Sequence, residues 1–136
     1  VEGIRFLREG GVVSMTGDRL WSAEQRSVAV RFIGHEVLLP ESPHLFALIS
    51  GAPIIVFFVF REGGRKYHTV MFPPWDVRAS SRADRKEAIQ ASARRYASLL
   101  EEMARRHPFE WYHFEPFLGK KLDERAGPPS PASDYL

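Results

Sequence analysis

The chain has 136 residues, 44% of them hydrophobic and 26% charged, with a formal net charge of +2 at pH 7. This composition is typical of one globular domain with its own core, and it excludes a disordered or fibrous chain. Because the sequence contains no cysteine, disulfides, cysteine-ligated metals and cysteine nucleophiles are also excluded.

The first stretch of the sequence has a helical pattern. Residues 1–9 are predicted to be the end of a helix, which stops at Gly10-Gly11. Because Val1 already lies inside this element, we expect the chain to be a fragment of a longer protein. Val12 to Thr16 is a short run of β-type residues and is predicted to be a strand.

Two short elements are predicted next. Apolar residues alternate with others over residues 28–32, which indicates a half-buried strand ended by Gly34. Ser42-Pro43 predicts a helix start, with a capping hydroxyl followed by proline at the first helical position. Gly51 is expected to end that helix.

A run of β-branched and aromatic residues from Pro53 to Phe60 predicts a strand covered on both faces. The longest apolar stretch, Ala52 to Phe60, is far shorter than the roughly 20 residues that a membrane-spanning helix needs. Nothing in this sequence is therefore predicted to cross a bilayer. Gly63-Gly64 predicts a hairpin turn into another strand, Lys66 to Phe72.

Residues 84–106 predict one long amphipathic helix, ended by His107-Pro108. Its apolar stripe has spacings of three and four and consists of Ile89, Ala93, Tyr96, Leu100 and Met103. We predict a domain over residues 1–118 and a polar, proline-rich tail over 119–136. The order of elements predicts an α/β fold whose strands are covered by helices and which ends in this helix.

Gly17-Asp18-Arg19 directly follows a predicted strand. In α/β folds, polar residues at the carboxyl end of a strand face the crevice where ligands bind. An arginine held by an adjacent acid could bind a phosphate or a substrate carbonyl. The alternative is a turn with a local ion pair.

The sequence has five histidines: His35, His44, His68, His107 and His113. A catalytic histidine needs a carboxylate that fixes its tautomer and stabilises its charged form. His44 lies in the first turn of a predicted helix, where the dipole disfavours the charged form. We interpret all five as surface or packing histidines, and their spacings predict no zinc site.

An aromatic cluster occupies residues 109–114, with Arg105 and Arg106 close by in the sequence. Such a cluster could stack on nucleic-acid bases or lie at a membrane interface. The alternative is an aromatic plug that closes the sheet.

Taken in order, these segments resemble the C-terminal half of the bacterial lipid A biosynthesis (lauroyl/myristoyl) acyltransferase family, part of the lysophospholipid acyltransferase superfamily. The resemblance is closest to the branch of predicted acyltransferases, because Glu110 stands where a glutamine is usual. The matching segments extend through Leu118 and are Gly10-Gly11, Gly17-Asp18-Arg19, Val30 to Gly34, Leu39-Pro40, Leu45 to Leu48, Ser50 to Val56, and His107 to Phe114.

The resemblance implies the C-terminal half of a mixed-sheet α/β acyltransferase domain and a mechanism. In the superfamily, a histidine with an acid five positions later takes the proton from an acceptor hydroxyl, which attacks a carrier thioester. None of the residues five positions after the histidines is acidic: Pro40, Ile49, Pro73, Tyr112 and Leu118. We therefore expect no catalytic residue in this segment and place the motif upstream of Val1.

The resemblance also implies which residues bind substrate. Asp18 and Arg19 match the family's aspartate–arginine block near the active site. Phe32, Gly34 and Pro40 match the segment that lines the acyl or acceptor groove. No cofactor or metal is implied, since the acyl donor is a thioester of acyl carrier protein or coenzyme A.

Two functions are therefore considered. The first is an acyltransferase at the cytoplasmic face of the bacterial inner membrane, peripheral or anchored by a segment outside this chain. Its partners would be acyl carrier protein or acyl-coenzyme A, a lipid or glycolipid acceptor and the membrane surface, with no nucleic acid. The alternative is a non-catalytic module that binds anionic lipid or nucleic acid through the aromatic cluster and Arg94, Arg95, Arg105 and Arg106.

Overall fold

The computed structural model describes residues 2–122, and Val1 and residues 123–136 lie outside the described residues. The part described is a mixed α/β fold that ends in a long helix, as predicted. In chain order its elements are α1 (Glu2–Arg8), β1 (Ser27–Phe32), β2 (His35–Pro40), α2 (Ser42–Ser50), β3 (Phe57–Gly63), β4 (Lys66–Met71) and α3 (Arg85–Arg106).

Strands β1 and β2 form an antiparallel hairpin, in register from Ser27 opposite Pro40 to Phe32 opposite His35. The turn passes through Ile33 and Gly34, both with positive φ, at 46° and 72°. The alternating burial predicted for residues 28–32 is confirmed. Strand β2 was not predicted from the sequence, although Val37 and Leu39 are buried in the same alternation.

Helix α3 packs against β1, and the predicted apolar stripe is the face that it buries. This first core joins the hairpin to the helix and contains Val28, Val30, Phe32, Val37, Leu39, Ile89, Ala93, Ala97 and Leu100. A helix laid across one face of a hairpin removes both apolar surfaces from water, which stabilises the pair.

Strands β3 and β4 form a second antiparallel hairpin with a bulge beside the turn at Gly63. The prediction of a strand covered on both faces is wrong for the described chain. Phe60 is buried, but Phe57 and Val59 are 54% and 51% exposed. Strand β3 pairs only with β4 among the described strands. Leu99 and Met103 of α3 pack against the face that carries Phe60, and the face that carries Phe57 and Val59 is open.

A second core lies beneath the buried face of β3–β4. It contains Ala47, Val56, Phe60, Phe72, Trp75, Val77, Leu99 and Met103. The sequence run before β3 is not part of the ladder, because Ile54 forms a single bridge with Trp75. Helix α3 thus contributes adjacent residues to two cores, Leu100 to the first and Leu99 to the second.

Two local predictions need correction. Residues Val12 to Thr16 form an extended loop and join no described strand, so the predicted strand is wrong there. The residue that caps α2 is Glu41, without a side-chain capping hydrogen bond, and Ser42 is already helical. Pro43 lies in the first turn and Gly51 ends the helix, as predicted.

Residues 119–122, at the start of the predicted tail, lie along β2. The Gly119 N–H donates to the Glu36 carbonyl at 3.0 Å, and the Leu122 N–H donates to the Gly34 carbonyl at 2.8 Å. The rest of the predicted tail falls outside the described residues, so the division into a domain and a tail stays a prediction. No helix within residues 2–122 is long and apolar enough to span a bilayer.

Candidate functional site

A cavity of about 590 Å³ lies between the loop of residues 13–19, α2, the segment 52–59 and the middle of α3. Its walls are mostly apolar, with polar groups brought in by the loop and by the two helices. Leu7 and Trp111 complete the lining from the two ends of the described chain. Largely apolar pockets of this size with a few placed polar groups are the usual form of ligand sites.

Asp18 and Arg19 form a two-point ion pair at this cavity. Arg19 donates from Nε to Asp18 Oδ1 at 3.2 Å and from Nη2 to Oδ2 at 2.9 Å. The indole Nε1 of Trp111 also donates to Asp18 Oδ2, at 3.0 Å. The side chain of Asp18 is 14% exposed and that of Arg19 is 36% exposed, so the arginine faces outward.

The charges of this pair are held by its neighbours. Burial by itself raises the pKa of Asp18, but the hydrogen bonds from Arg19 and Trp111, with the charge of Arg19, lower it below its ordinary value. The hydrogen bonds that Arg19 donates to Asp18 in turn raise the pKa of Arg19. Arg19 has five N–H groups, of which Asp18 takes two and the Tyr112 carbonyl one at 3.4 Å. The remaining donors can serve an oxygen of a ligand.

Gly17 is required by a close approach to α3. A Cβ atom at Gly17 would lie 2.7 Å from Cζ and 2.9 Å from the hydroxyl oxygen of Tyr96. The loop therefore passes directly over the ring of Tyr96, which fixes the position of the neighbouring Asp18. Burial raises the pKa of Tyr96 well above its ordinary value, so its phenol stays protonated.

His44 also lines the cavity, from the first turn of α2. Its Nδ1 lies 2.8 Å from Ser92 Oγ, and the indole Nε1 of Trp75 donates to the same oxygen at 2.9 Å. Burial lowers the pKa of His44 to about 4, so the ring is neutral at physiological pH. The interpretation of His44 as a packing histidine agrees with its burial. The sequence did not predict that this ring lines the cavity.

The structure separates the five predicted substrate-binding residues. Asp18 and Arg19 line the cavity, whereas Phe32, Gly34 and Pro40 do not. Phe32 is fully buried and packs edge-on against Trp111, with ring centroids 5.3 Å apart. Gly34 forms the β1–β2 turn and Pro40 is buried at the end of β2. Contact of these three with substrate stays a prediction.

The aromatic cluster of residues 109–114 divides into two parts. Trp111 points inward, where it packs against Phe117 at 5.2 Å and bonds Asp18. Phe109, Tyr112 and Phe114 are exposed. The sequence could not link Trp111 to Asp18, because 93 residues separate them.

Two comparisons, one with curated proteins and one with solved structures, found no match. A comparison with protein families did find one. Residues 2–118 match the family described as bacterial lipid A biosynthesis acyltransferase. That range contains the loop of residues 13–19, both hairpins, α3 and Trp111.

Proposed function

The chain belongs to the bacterial lipid A biosynthesis acyltransferase family, so its function is acyl transfer, and from this premise we propose a specific reaction. The protein moves a fatty acyl group from a carrier thioester to a hydroxyl of a lipid or glycolipid acceptor. The observation that carries this proposal is the cavity of about 590 Å³, with apolar walls and the Asp18–Arg19 pair at its surface.

The cavity matches the two chemical parts of such a substrate. Segment 52–59 and α2 offer apolar surface, including Ile55 and Phe57, which suits an acyl chain. Arg19 offers N–H donors to a carbonyl or phosphate oxygen, where hydrogen bonds to a charged donor are strongest. Asp18 holds the guanidinium in place, so less rotamer freedom is lost when substrate binds.

The general base of this reaction is proposed to lie outside these 136 residues, in sequence that precedes them. None of the five histidines has an acid five positions later. His44, the histidine in the cavity wall, is bonded to a serine hydroxyl and has a pKa of about 4, which makes it a poor base at neutral pH.

The donor, the acceptor and the location are part of the same proposal. The acyl donor is a thioester of acyl carrier protein or of coenzyme A, and the reaction takes place at the cytoplasmic face of the inner membrane. The exposed aromatics Phe109, Tyr112 and Phe114 support contact with a membrane surface, because aromatic side chains favour the interface. A segment outside this chain could supply a further anchor.

The alternative, a binding module for nucleic acid or anionic lipid, is not favoured by the basic residues of α3. Arg94 pairs with Glu87, Arg105 with Glu101 and Arg106 with Glu102. Arg95 lies over the ring of Trp75, 4.6 Å from its centroid. With these partners the helix does not present a free row of positive charge to phosphates.

Replacement of Arg19 in the full-length protein tests the proposal. Arg19→Ala should lower kcat/KM with an acyl carrier protein thioester by about 10- to 100-fold, because a charged hydrogen-bond donor is lost. Arg19→Lys keeps the charge but lacks the planar guanidinium group, so its kcat/KM should lie between those of Arg19→Ala and the unmodified protein. Circular dichroism should show an unchanged fold.

Arg26→Ala is the matched control, since Arg26 pairs with Glu41 away from the cavity. Its turnover should equal that of the unmodified protein. Unchanged turnover in Arg19→Ala would remove Arg19 from the site. Absence of acyl transfer to any lipid acceptor would contradict the function, and turnover by these 136 residues alone would contradict the placement of the base.

A further inference from the structure

The ring of His44 is held by two side chains that are far from it in sequence. Its side chain is only 2% exposed, and Ser92 and Trp75, which complete the network, are buried as well. Trp75 lies in the loop after β4 and Ser92 lies in α3, so three separate segments meet at one hydroxyl. This network fixes both the orientation of the ring and its tautomer.

The tautomer follows from the donors. An indole N–H can only donate, so Trp75 uses a lone pair of Ser92 Oγ. Among the described residues, Nδ1 of His44 is the acceptor that remains for the hydroxyl hydrogen of Ser92. Since a buried hydroxyl hydrogen needs an acceptor, we assign the Ser92 hydroxyl as the donor to Nδ1, which leaves the hydrogen of the neutral ring on Nε2.

The second ring nitrogen, Nε2, has no hydrogen-bond partner among the described residues. Within residues 2–122, the fully enclosed side-chain nitrogens and oxygens without a hydrogen-bond partner are the two ring nitrogens of His113. Nε2 of His44 is not one of these atoms, and the hydrogen bond of its ring is at Nδ1. Because the ring lines the cavity and its Nδ1 is already bonded, we infer that Nε2–H is the group available to a ligand there.

We propose that His44 is a substrate-binding residue whose Nε2–H donates a hydrogen bond to the carbonyl oxygen of an acyl thioester held in the cavity. This inference rests on the proposed function and adds to it the group that recognises the donor's carbonyl. His44 neither gives nor takes a proton here. Its hydrogen bond orients the carbonyl carbon for attack.

The chemistry of the wall favours a carbonyl over a phosphate at this position. An uncharged N–H on a mostly apolar wall is best matched by an uncharged acceptor, because burying an anion there without a counter-charge is costly. Phosphate oxygens have a better partner in Arg19. Burial keeps the imidazole neutral, so the donor is present throughout the physiological pH range.

The test compares two pantetheine derivatives that differ in one oxygen. S-Lauroyl-pantetheine carries the thioester carbonyl, and S-dodecyl-pantetheine is the thioether without it. By calorimetry, the full-length protein should bind the thioester roughly tenfold more tightly, which corresponds to one hydrogen bond to a buried donor. His44→Phe removes the donor and should bind both compounds equally.

Two further variants separate recognition from structure. The amide nitrogen of glutamine can occupy the place of Nε2, so His44→Gln should keep most of the preference for the thioester. Ser92→Ala removes the hydrogen bond that fixes the tautomer of His44 but leaves the ring in place. This variant should therefore prefer the thioester less strongly than the unmodified protein does. A purely structural role for His44 would change affinity for both compounds alike and leave their ratio untouched.

Nitrogen NMR of the labelled histidine supplies a readout that needs no ligand. At pH 7 the His44 ring should show a hydrogen on Nε2 and none on Nδ1. The opposite tautomer would overturn the inference, as would equal binding of the two compounds by the unmodified protein. If that protein binds neither compound, the acyl-donor role proposed for the cavity fails together with the inference.

Discussion

Two titratable residues of the cavity have opposite environments. Asp18 is partly buried beside a cation and an indole N–H, so hydrogen bonds and charge outweigh its desolvation and it stays ionised. His44 is buried beside a neutral hydroxyl, so desolvation prevails and it stays neutral. One wall of the cavity therefore presents a fixed ion pair and another an uncharged donor.

The neutral state of His44 predicts a loss of stability in acid. The pKa of His44 is about 4 in the folded chain and near its ordinary value of 6.5 when unfolded, so only the unfolded state binds the proton between these values. The free energy of unfolding should therefore fall by about 3 kcal/mol as the pH drops from 7 to about 4. Urea unfolding of the unmodified protein and His44→Phe, at several pH values, measures this contribution.

The difference in stability between the two proteins should change with pH over that window and be constant above pH 7. His68→Gln is the matched control for the loss of an imidazole at an exposed position outside the cavity. If the curves of His44→Phe and the unmodified protein run parallel, His44 does not titrate as the structure implies.

At the scale of elements, α2 determines where two walls of the cavity lie. Its first turn carries His44, and directly after its end the segment 52–59 forms the apolar wall. Gly51 makes the change of direction with φ 78° and donates its N–H to the Ala47 carbonyl at 2.9 Å. A residue without a Cβ adopts this left-handed conformation without strain.

Gly51→Ala should lower the free energy of unfolding by about 1 kcal/mol, because an L-residue is strained at this φ. A Cβ at Gly51 would meet nothing within 4 Å, so the loss is conformational and not a clash. Gly51→Asn is the matched variant and should lose less, since asparagine tolerates the left-handed region. Denaturant unfolding measures both, and equal losses for the two variants would contradict the conformational explanation.

At the scale of the whole molecule, α3 connects two hairpins that do not pair with each other. The first core joins it to β1–β2 and the second to β3–β4. Tyr96 and Phe58 are partly buried residues that pack against both cores. The cavity is lined by residues of β3 and of the middle of α3, so its shape depends on the second hairpin keeping its place on the helix.

Helix α3 contributes Leu100 to the first core and Leu99 to the second. Shortening either leucine should therefore destabilise the whole described fold. Leu99→Ala and Leu100→Ala should each lower the free energy of unfolding by about 2–5 kcal/mol, as buried leucines do. Thermal unfolding should remain a single transition, and hydrogen exchange should speed up in both hairpins in each variant. Ser98→Ala, at the half-exposed position that precedes them in the helix, should be nearly neutral.

A result in which Leu99→Ala loosened only β3–β4 while β1–β2 kept its protection would contradict this cooperative behaviour. The two hairpins would then be independent units that share a helix.

Elements whose signals lie within a few residues were predicted from the sequence. The period of the apolar stripe predicted α3, Pro43 and Gly51 predicted the limits of α2, and Gly63-Gly64 predicted the second hairpin turn. The Asp18–Arg19 pair could also be expected, since its members are adjacent. Propensity, capping and turn conformation act over this range, so they can be read without the fold.

The sequence by itself determined the family, the mixed α/β class and the candidate ion pair. Only the tertiary structure decided that one face of β3 is open, and that Trp111 bonds Asp18 across 93 residues. It also brought His44 to Ser92, 48 residues away, and both to Trp75. Burial and hydrogen bonding between distant segments depend on how the elements pack, and local sequence patterns do not specify that packing.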